Sequence, residues 1–456
     1  MPRRTLLEPF QLTASQAANM IADRKLSPVV LMESLLNRIE QLEPTLKAWV
    51  TLNRESAMEA AHLSERIVSQ NNQLGPLHGI PIGLKDIFYT EGVKTTACSQ
   101  VYKDFIPNHD ASCVTKLKSA GAIILGKTVT TPYAASDPSP TVNPWNPEHT
   151  PGGSSSGSSV AVAARMCPLA LGSQTVGSTV RPAAYNGIVG LKPTYGRISL
   201  KGVIGLGWSL DTVGLLARST EDTALMLQVM AGWDREDPVS LNQPVPNYLD
   251  GLLSSNHPPR IGLIRDYFYE IAQAEVKTHT DKTVQHLQDS GAIIEEIPLP
   301  SSFLENVVAG EITFRAEVAA YHESNFMSEP NYYPPLIYKI IEEGMAISAI
   351  EYTRAQKVRS EFRRDLQEIL SNFPVLLTPS TPSSAPKDLT TTGDKSFQAP
   401  WTTAGVPTIN IPSGINALGL PLGIQLLSGW NEETRLLATA VWCEKTLGLI
   451  PAPPID

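Results

Sequence analysis

Cysteine is scarce in this chain. Its 456 residues include only Cys98, Cys113, Cys167 and Cys443, without the close spacing of zinc or redox motifs. In a chain this large they read as buried free thiols rather than a disulfide framework. The eight histidines form no metal-ligand spacing either, so no metal is expected. Positive charge is also short. Against 45 Asp and Glu stand 36 Lys and Arg, a net charge of −9, which argues against a grip on nucleic acid. No apolar run approaches the roughly 18–20 residues of a membrane span. The opening MPRRTLLEPFQLTASQ has basic residues but no apolar leader segment. The expected compartment is the cytoplasm.

What is present is an ordinary globular balance, 42% hydrophobic and 18% charged, enough for a large core. Size alone allows about three domains, but large α/β enzymes often form one, and a single domain over 1–456 is expected. Thr13 and Gln16 fit a capping box, and Ser27-Pro28 fits a helix start. Strands are expected at Ala48–Leu52, Ile80–Leu84, Ala122–Leu125, Pro168–Leu171 and Ile188–Leu191, alternating with helices such as Ala111–Ala120 and Thr220–Met230. This alternation predicts an α/β fold with a central sheet covered by helices on both faces. Residues 240–370 read as a more variable helical and loop region that shapes a pocket. Ser380–Ser396, rich in Pro and Thr, reads as an exposed loop.

The chemistry concentrates in Thr150–Gly190. Two small-residue turns lie there, Gly152-Gly153-Ser154-Ser155-Ser156-Gly157 and Thr175-Val176-Gly177-Ser178. A helical Ala/Val run and a short strand separate them. Upstream, Gly79-Ile80-Pro81-Ile82-Gly83-Leu84-Lys85-Asp86 ends an apolar strand on a lysine. Lys85, Ser154 and Ser178 occur in that order, 69 and 24 residues apart.

With GGSSSGS, GSQTVGSTVRPAAYNGIVGLKPTYGR and GIPIGLKD in the family's order, the chain resembles the amidase signature family. The resemblance extends through Gly405-Val406-Pro407 and the 419–425 run. It implies a mixed, twisted sheet, a Lys–Ser–Ser triad, a cis peptide before Ser154, and cleavage of an amide C–N bond without a cofactor. Carbamates and esters present a similar carbonyl to the same triad. In this reading Ser178 is the nucleophile, Ser154 the relay and Lys85 the base. Backbone N–H groups of Thr175, Val176, Gly177 and Ser178 form the oxyanion hole. A lysine acts as a base only when uncharged, which burial promotes. The bland alternative for Lys85 is a surface ion pair with Asp86.

The chain departs from the commoner family pattern in three places. Arg181 follows the nucleophile by three residues rather than two; it suits a substrate carboxylate or a structural ion pair. Gln174 stands where many members carry Asp, with a supporting hydrogen-bonding role expected. Val176 replaces a frequent small residue. Ser155 is expected to brace the first turn. Tyr133 is read either as a pocket wall or as a half-buried core tyrosine.

Three other readings compete. Gly153-Ser154-Ser155-Ser156-Gly157 matches G-x-S-x-G, yet Asn143-Pro144-Trp145-Asn146-Pro147 supplies no strand for a nucleophile elbow on Ser155. A glycine-loop ligand-binding module needs a Lys-Ser/Thr after the glycines, and none follows Gly157. The A subunit of a tRNA-dependent amidotransferase shares the triad. Gln174-Thr175-Val176, the arginine position and Pro132-Tyr133 depart from that branch. The expected partner is a small amide or carbamate substrate, with no nucleic acid or membrane; a homodimer is left open.

Overall fold

The computed structural model describes residues 7–70, 73–252 and 257–455. Residues 1–6 of the opening stretch lie outside them. Among the described residues, eleven strands run in chain order as β1 (Trp49–Leu52), β2 (Pro81–Lys85), β3 (Ile123–Thr128), β4 (Leu169–Gln174), β5 (Val189–Lys192), β6 (Thr212–Ala217), β7 (Arg260–Leu263), β8 (Ile293–Glu296), β9 (Val375–Pro379), β10 (Thr408–Ile415) and β11 (Pro421–Ser428). They form one sheet in the order β1-β3-β2-β4-β6-β5-β10-β11-β9-β7-β8. The sheet is mixed. β2 lies parallel to both β3 and β4, whereas β4, β6, β5, β10, β11 and β9 pair antiparallel in turn.

Local sequence explains many boundaries. Thr13 and Gln16 form the reciprocal capping box of the helix Ala14–Ala22. Ser27 accepts from the amides of Val29 and Val30, and Pro28 opens the helix Pro28–Leu46. The helix Thr220–Met230 occupies its expected range, and Ala274–Asp289 forms a further helix. The central strands β2, β4, β5 and β6 are buried along their whole length, as expected of strands covered on both faces. Among the described residues, no helix is long and apolar enough to cross a membrane.

The 240–370 region holds the long helix Phe303–Ser328. Two expectations need correction. β4 does not stop at Leu171 but continues to Gln174, carrying the chain directly into the second turn. Ser380–Ser396 is not an exposed loop: Ser380, Thr381, Ser384, Ala385 and Thr392 are buried, and exposure is confined to 387–390 and Asp394. Several of its hydroxyls bond inside the protein. Ser380 donates to Asn410 Oδ1, and Thr381 donates to the Ser383 carbonyl. A segment that satisfies its own hydroxyls can be buried despite a polar composition.

Candidate active site

Parallel pairing of β2 with β4 sets the site. Leu84 lies beside Leu171, so the next residue, Lys85, ends its strand beside the C-terminal half of β4. Lys85 is fully buried. Its Nζ donates to Ser154 Oγ and to Ser173 Oγ, each at 2.8 Å. Burial pushes its ammonium down to about 7, while the Asp211 carboxylate opposes the shift. Asp86 does not pair with it. Asp86 turns to Lys127 at 3.6 Å, with both side chains wholly buried, and accepts from the Thr96 amide and hydroxyl.

The first turn carries a cis peptide between Gly153 and Ser154. The Ser154 carbonyl accepts from Thr130 Oγ1 and from the Thr131 amide. The turn leads into the helix Ser156–Ala163, in which every residue is buried. Gly157 makes that packing possible: a Cβ there would collide with the Ala48 carbonyl and the Val129 backbone. At Gly153 a Cβ would lie 2.8 Å from Thr392 Cγ2, so the turn is pressed against the 380–396 segment. Ser155 braces the far side. Its Oγ donates to the Ser173 carbonyl at 3.3 Å and accepts from the Ser173 amide at 3.2 Å.

The second turn holds Ser178 at the edge of a cavity of about 320 Å³. Ser178 is 9% exposed, against 1% for Ser154. The Ser155 amide donates to the Ser178 carbonyl at 3.3 Å, which fastens the two turns together. The Ser178 hydroxyl makes no hydrogen bond among the described residues. Nor do the amides of Val176, Gly177 and Ser178 donate to a protein acceptor there. Three unspent donors beside a free hydroxyl are what an oxyanion site requires. Gln174 shapes this loop. Its Oε1 accepts from the amides of Thr179 and Val180, both at 3.0 Å, and its Nε2 donates to Thr402 Oγ1, which donates to the Val176 carbonyl. Thr175 Oγ1 donates to Asp211, whose carboxyl is pushed up to about 6 by burial against hydrogen bonds from Thr175, Leu206 and Gly207.

Arg181 lines the same cavity. Its guanidinium donates to the carbonyls of Gly153 and Gly393 at 2.7 Å and to Thr392 Oγ1 at 3.0 Å. It forms no ion pair among the described residues. Tyr133 turns away from the cavity. It stacks on Tyr333 with centroids 4.6 Å apart, meets His322 edge-on and donates to the Tyr332 carbonyl. Its successors Ala134, Ala135 and Ser136 form the wall instead. Leu206, Phe314, Leu336 and residues 391–395 complete the lining. Sequence reasoning missed Ser173, Asp211, Thr402 and that last segment. Ser173 stood inside the quoted GSQTVGS, but nothing in the run distinguishes it from a strand serine. Among the described residues no group of acidic, His or Cys side chains is arranged to hold a metal.

A family model, Amidase, matches residues 30–437. The chain belongs to the amidase signature family. It is 35% identical to the glutamyl-tRNA(Gln) amidotransferase A chain of Geobacter metallireducens over 477 aligned positions, covering 96% of this chain and 98% of that one. Among solved structures it is similar to the native peptide amidase from Stenotrophomonas maltophilia (28% identity, TM-score 0.84, covering 98% of this chain and 99% of that one). It is also similar to a member of a vestigial protein complex tied to the origins of an s-triazine catabolic enzyme (28% identity, TM-score 0.91, covering 97% and 100%). The mixed sheet with flanking helices is therefore the amidase fold.

Proposed function

We propose that this family member hydrolyses the C–N bond of a small amide through an acyl-enzyme on Ser178, with Ser154 as relay and neutral Lys85 as general base. The observation that carries this reading is the 2.8 Å contact between Lys85 Nζ and Ser154 Oγ in a buried site. A serine hydroxyl needs a base to attack near neutral pH. Lys85, with its ammonium near 7, is substantially uncharged there. Ser178 Oγ attacks the carbonyl carbon. Its proton passes to Ser154 Oγ as the Ser154 proton passes to Lys85 Nζ. The oxyanion lies against the 175–178 amides. The proton then returns through Ser154 to the leaving nitrogen, the C–N bond breaks, and water cleaves the Ser178 ester. No cofactor is needed for any step.

The whole chain acts as one catalytic domain in this reading, with 240–370 contributing Phe314 and Leu336 to one wall. The apolar wall favours an uncharged acyl portion, while Arg181, whose guanidinium is taken up by the Gly153 and Gly393 carbonyls and Thr392 Oγ1, serves this wall by tying the first turn to the 391–395 segment. Carbamates and esters remain within reach of the same chemistry. A fluorophosphonate probe should label Ser178 in the intact protein, and Ser178→Ala should lose about 10⁴-fold or more in kcat. A panel of anilide, primary amide, carbamate and ester substrates then sets the preference. Full turnover by Ser178→Ala sinks the reading.

A second reading has support in the 35% identity to the A chain of an amidotransferase. Gln174-Thr175-Val176, the position of Arg181 and Pro132-Tyr133 speak for a stand-alone enzyme. Co-purification of a second polypeptide, with glutamine-dependent amide transfer to a misacylated tRNA, would favour the amidotransferase reading.

A further inference from the structure

We propose that Ser173 is a positioning residue that aims the lone pair of Lys85 at Ser154. This inference rests on the triad proposed above. A neutral lysine amine has two N–H bonds and one lone pair. It serves as a base only while that lone pair faces the hydroxyl to be deprotonated. A flexible four-carbon side chain does not fix this by itself, because the amine rotates freely about its last bond. A second hydroxyl at hydrogen-bond distance removes that freedom by taking one N–H.

Ser173 is placed for this task alone. Its Oγ lies 2.8 Å from Lys85 Nζ and has no other partner among the described residues. Its backbone is held on both sides by Ser155, which accepts from the Ser173 amide and donates to the Ser173 carbonyl. Antiparallel pairing of Ser173 with Val213 fixes it from the neighbouring strand β6. The backbone that carries the hydroxyl is therefore tied both to the first turn and to β6. When Lys85 Nζ takes the Ser154 proton, the resulting ammonium has three N–H bonds. One points to Ser154 Oγ and one to Ser173 Oγ, so the charge formed in the step meets two acceptors already in place. Ser173 itself neither gains nor loses a proton.

Other charges also face this amine. Asp211 favours its protonated form. The Cys98 thiol is pushed up to about 12 by burial, so it stays neutral and adds no charge beside the amine. On the neighbouring strand the Lys127–Asp86 pair is internally balanced. None of these groups donates to or accepts from Lys85 Nζ, which leaves Ser173 as its one fixed hydrogen-bonding neighbour outside the relay.

The test compares Ser173→Ala, Ser173→Cys and Ser173→Thr in the full chain, on an amide that the wild type turns over. Ser173→Ala should reduce kcat/KM roughly ten-fold or more, the usual effect of losing one hydrogen bond to a charged group. The acid limb of its pH–rate profile should move to lower pH, because the ammonium loses an acceptor. Ser173→Cys, which keeps volume but accepts weakly, should behave alike, and Ser173→Thr should restore both rate and profile. An unmoved acid limb in folded Ala and Cys variants overturns the proposal, whether or not the rate falls, since a merely structural serine would change rate alone. Failure of the underlying triad is read separately: there, Lys85→Ala and Ser178→Ala would keep turning over.

Discussion

Lys85 and Lys127 leave adjacent strands into the same interior, yet their surroundings differ. Lys127 meets Asp86 and donates to the Phe88 carbonyl and Thr95 Oγ1, and burial brings its ammonium only to about 8 against that carboxylate. Among the described residues Lys85 Nζ hydrogen-bonds only to hydroxyls, those of Ser154 and Ser173. The sequence brought Lys85, Ser154 and Ser178 forward as candidates because three short motifs stand in a fixed order. It hid Ser173, whose meeting with Lys85 depends on how β2 and β4 are registered. Two predictions belong at this scale. First, kcat/KM should rise with pH through about 7, and Lys85→Arg should be inactive, since a guanidinium does not deprotonate. Folded Lys85 holds its proton less tightly than the unfolded chain, whose lysines titrate near 10.4. Its contribution therefore makes stability rise with pH from about 7 towards that value. Melting temperatures of wild type and Lys85→Met across this window check the sign, the variant giving the flatter slope. Second, Asp86→Ala should lower stability by about 3–5 kcal/mol by stranding Lys127, read from urea midpoints.

At the scale of elements, the turn–helix–strand–turn unit does the arranging. Its order was readable from Gly, Ser and Ala runs. The extension of β4 to Gln174 was not, because Gly172, Ser173 and Gln174 have weak strand preference and are held there by pairing with β6. The burial of 380–396 was hidden for a related reason: composition reports polarity, not whether each hydroxyl finds an internal partner. Gln174→Leu should strip the acceptor from the Thr179 and Val180 amides and the donor to Thr402. Steady-state kinetics should then show kcat falling by about 10-fold or more with KM much less affected, as the oxyanion role proposed for this loop requires. Gly157→Ala should lower the melting temperature or prevent folding, since the collision is with backbone that no side-chain rotation relieves.

For the molecule as a whole, alternation of strands and helices announced the class but not the order of strands. β5 is flanked by β6 and β10, and Lys192 pairs with Thr408 across more than 200 residues. Such partners share no local signal. The sheet joins segments from Trp49 to Ser428, so heat should unfold the chain in one cooperative transition that coincides with loss of activity, as calorimetry beside an activity assay would reveal. The two ends of the sheet are unequal in what they can tolerate. β4 is fourth in the row and β8 is last, seven spacings away, or roughly 34 Å at about 4.8 Å per step. That outermost rim carries exposed Glu295 and Glu296, which discourage a stray strand from docking. It is the natural place to graft a tag or tether the enzyme to a support, because a disturbance there has the full breadth of the sheet in which to die away before it reaches Lys85.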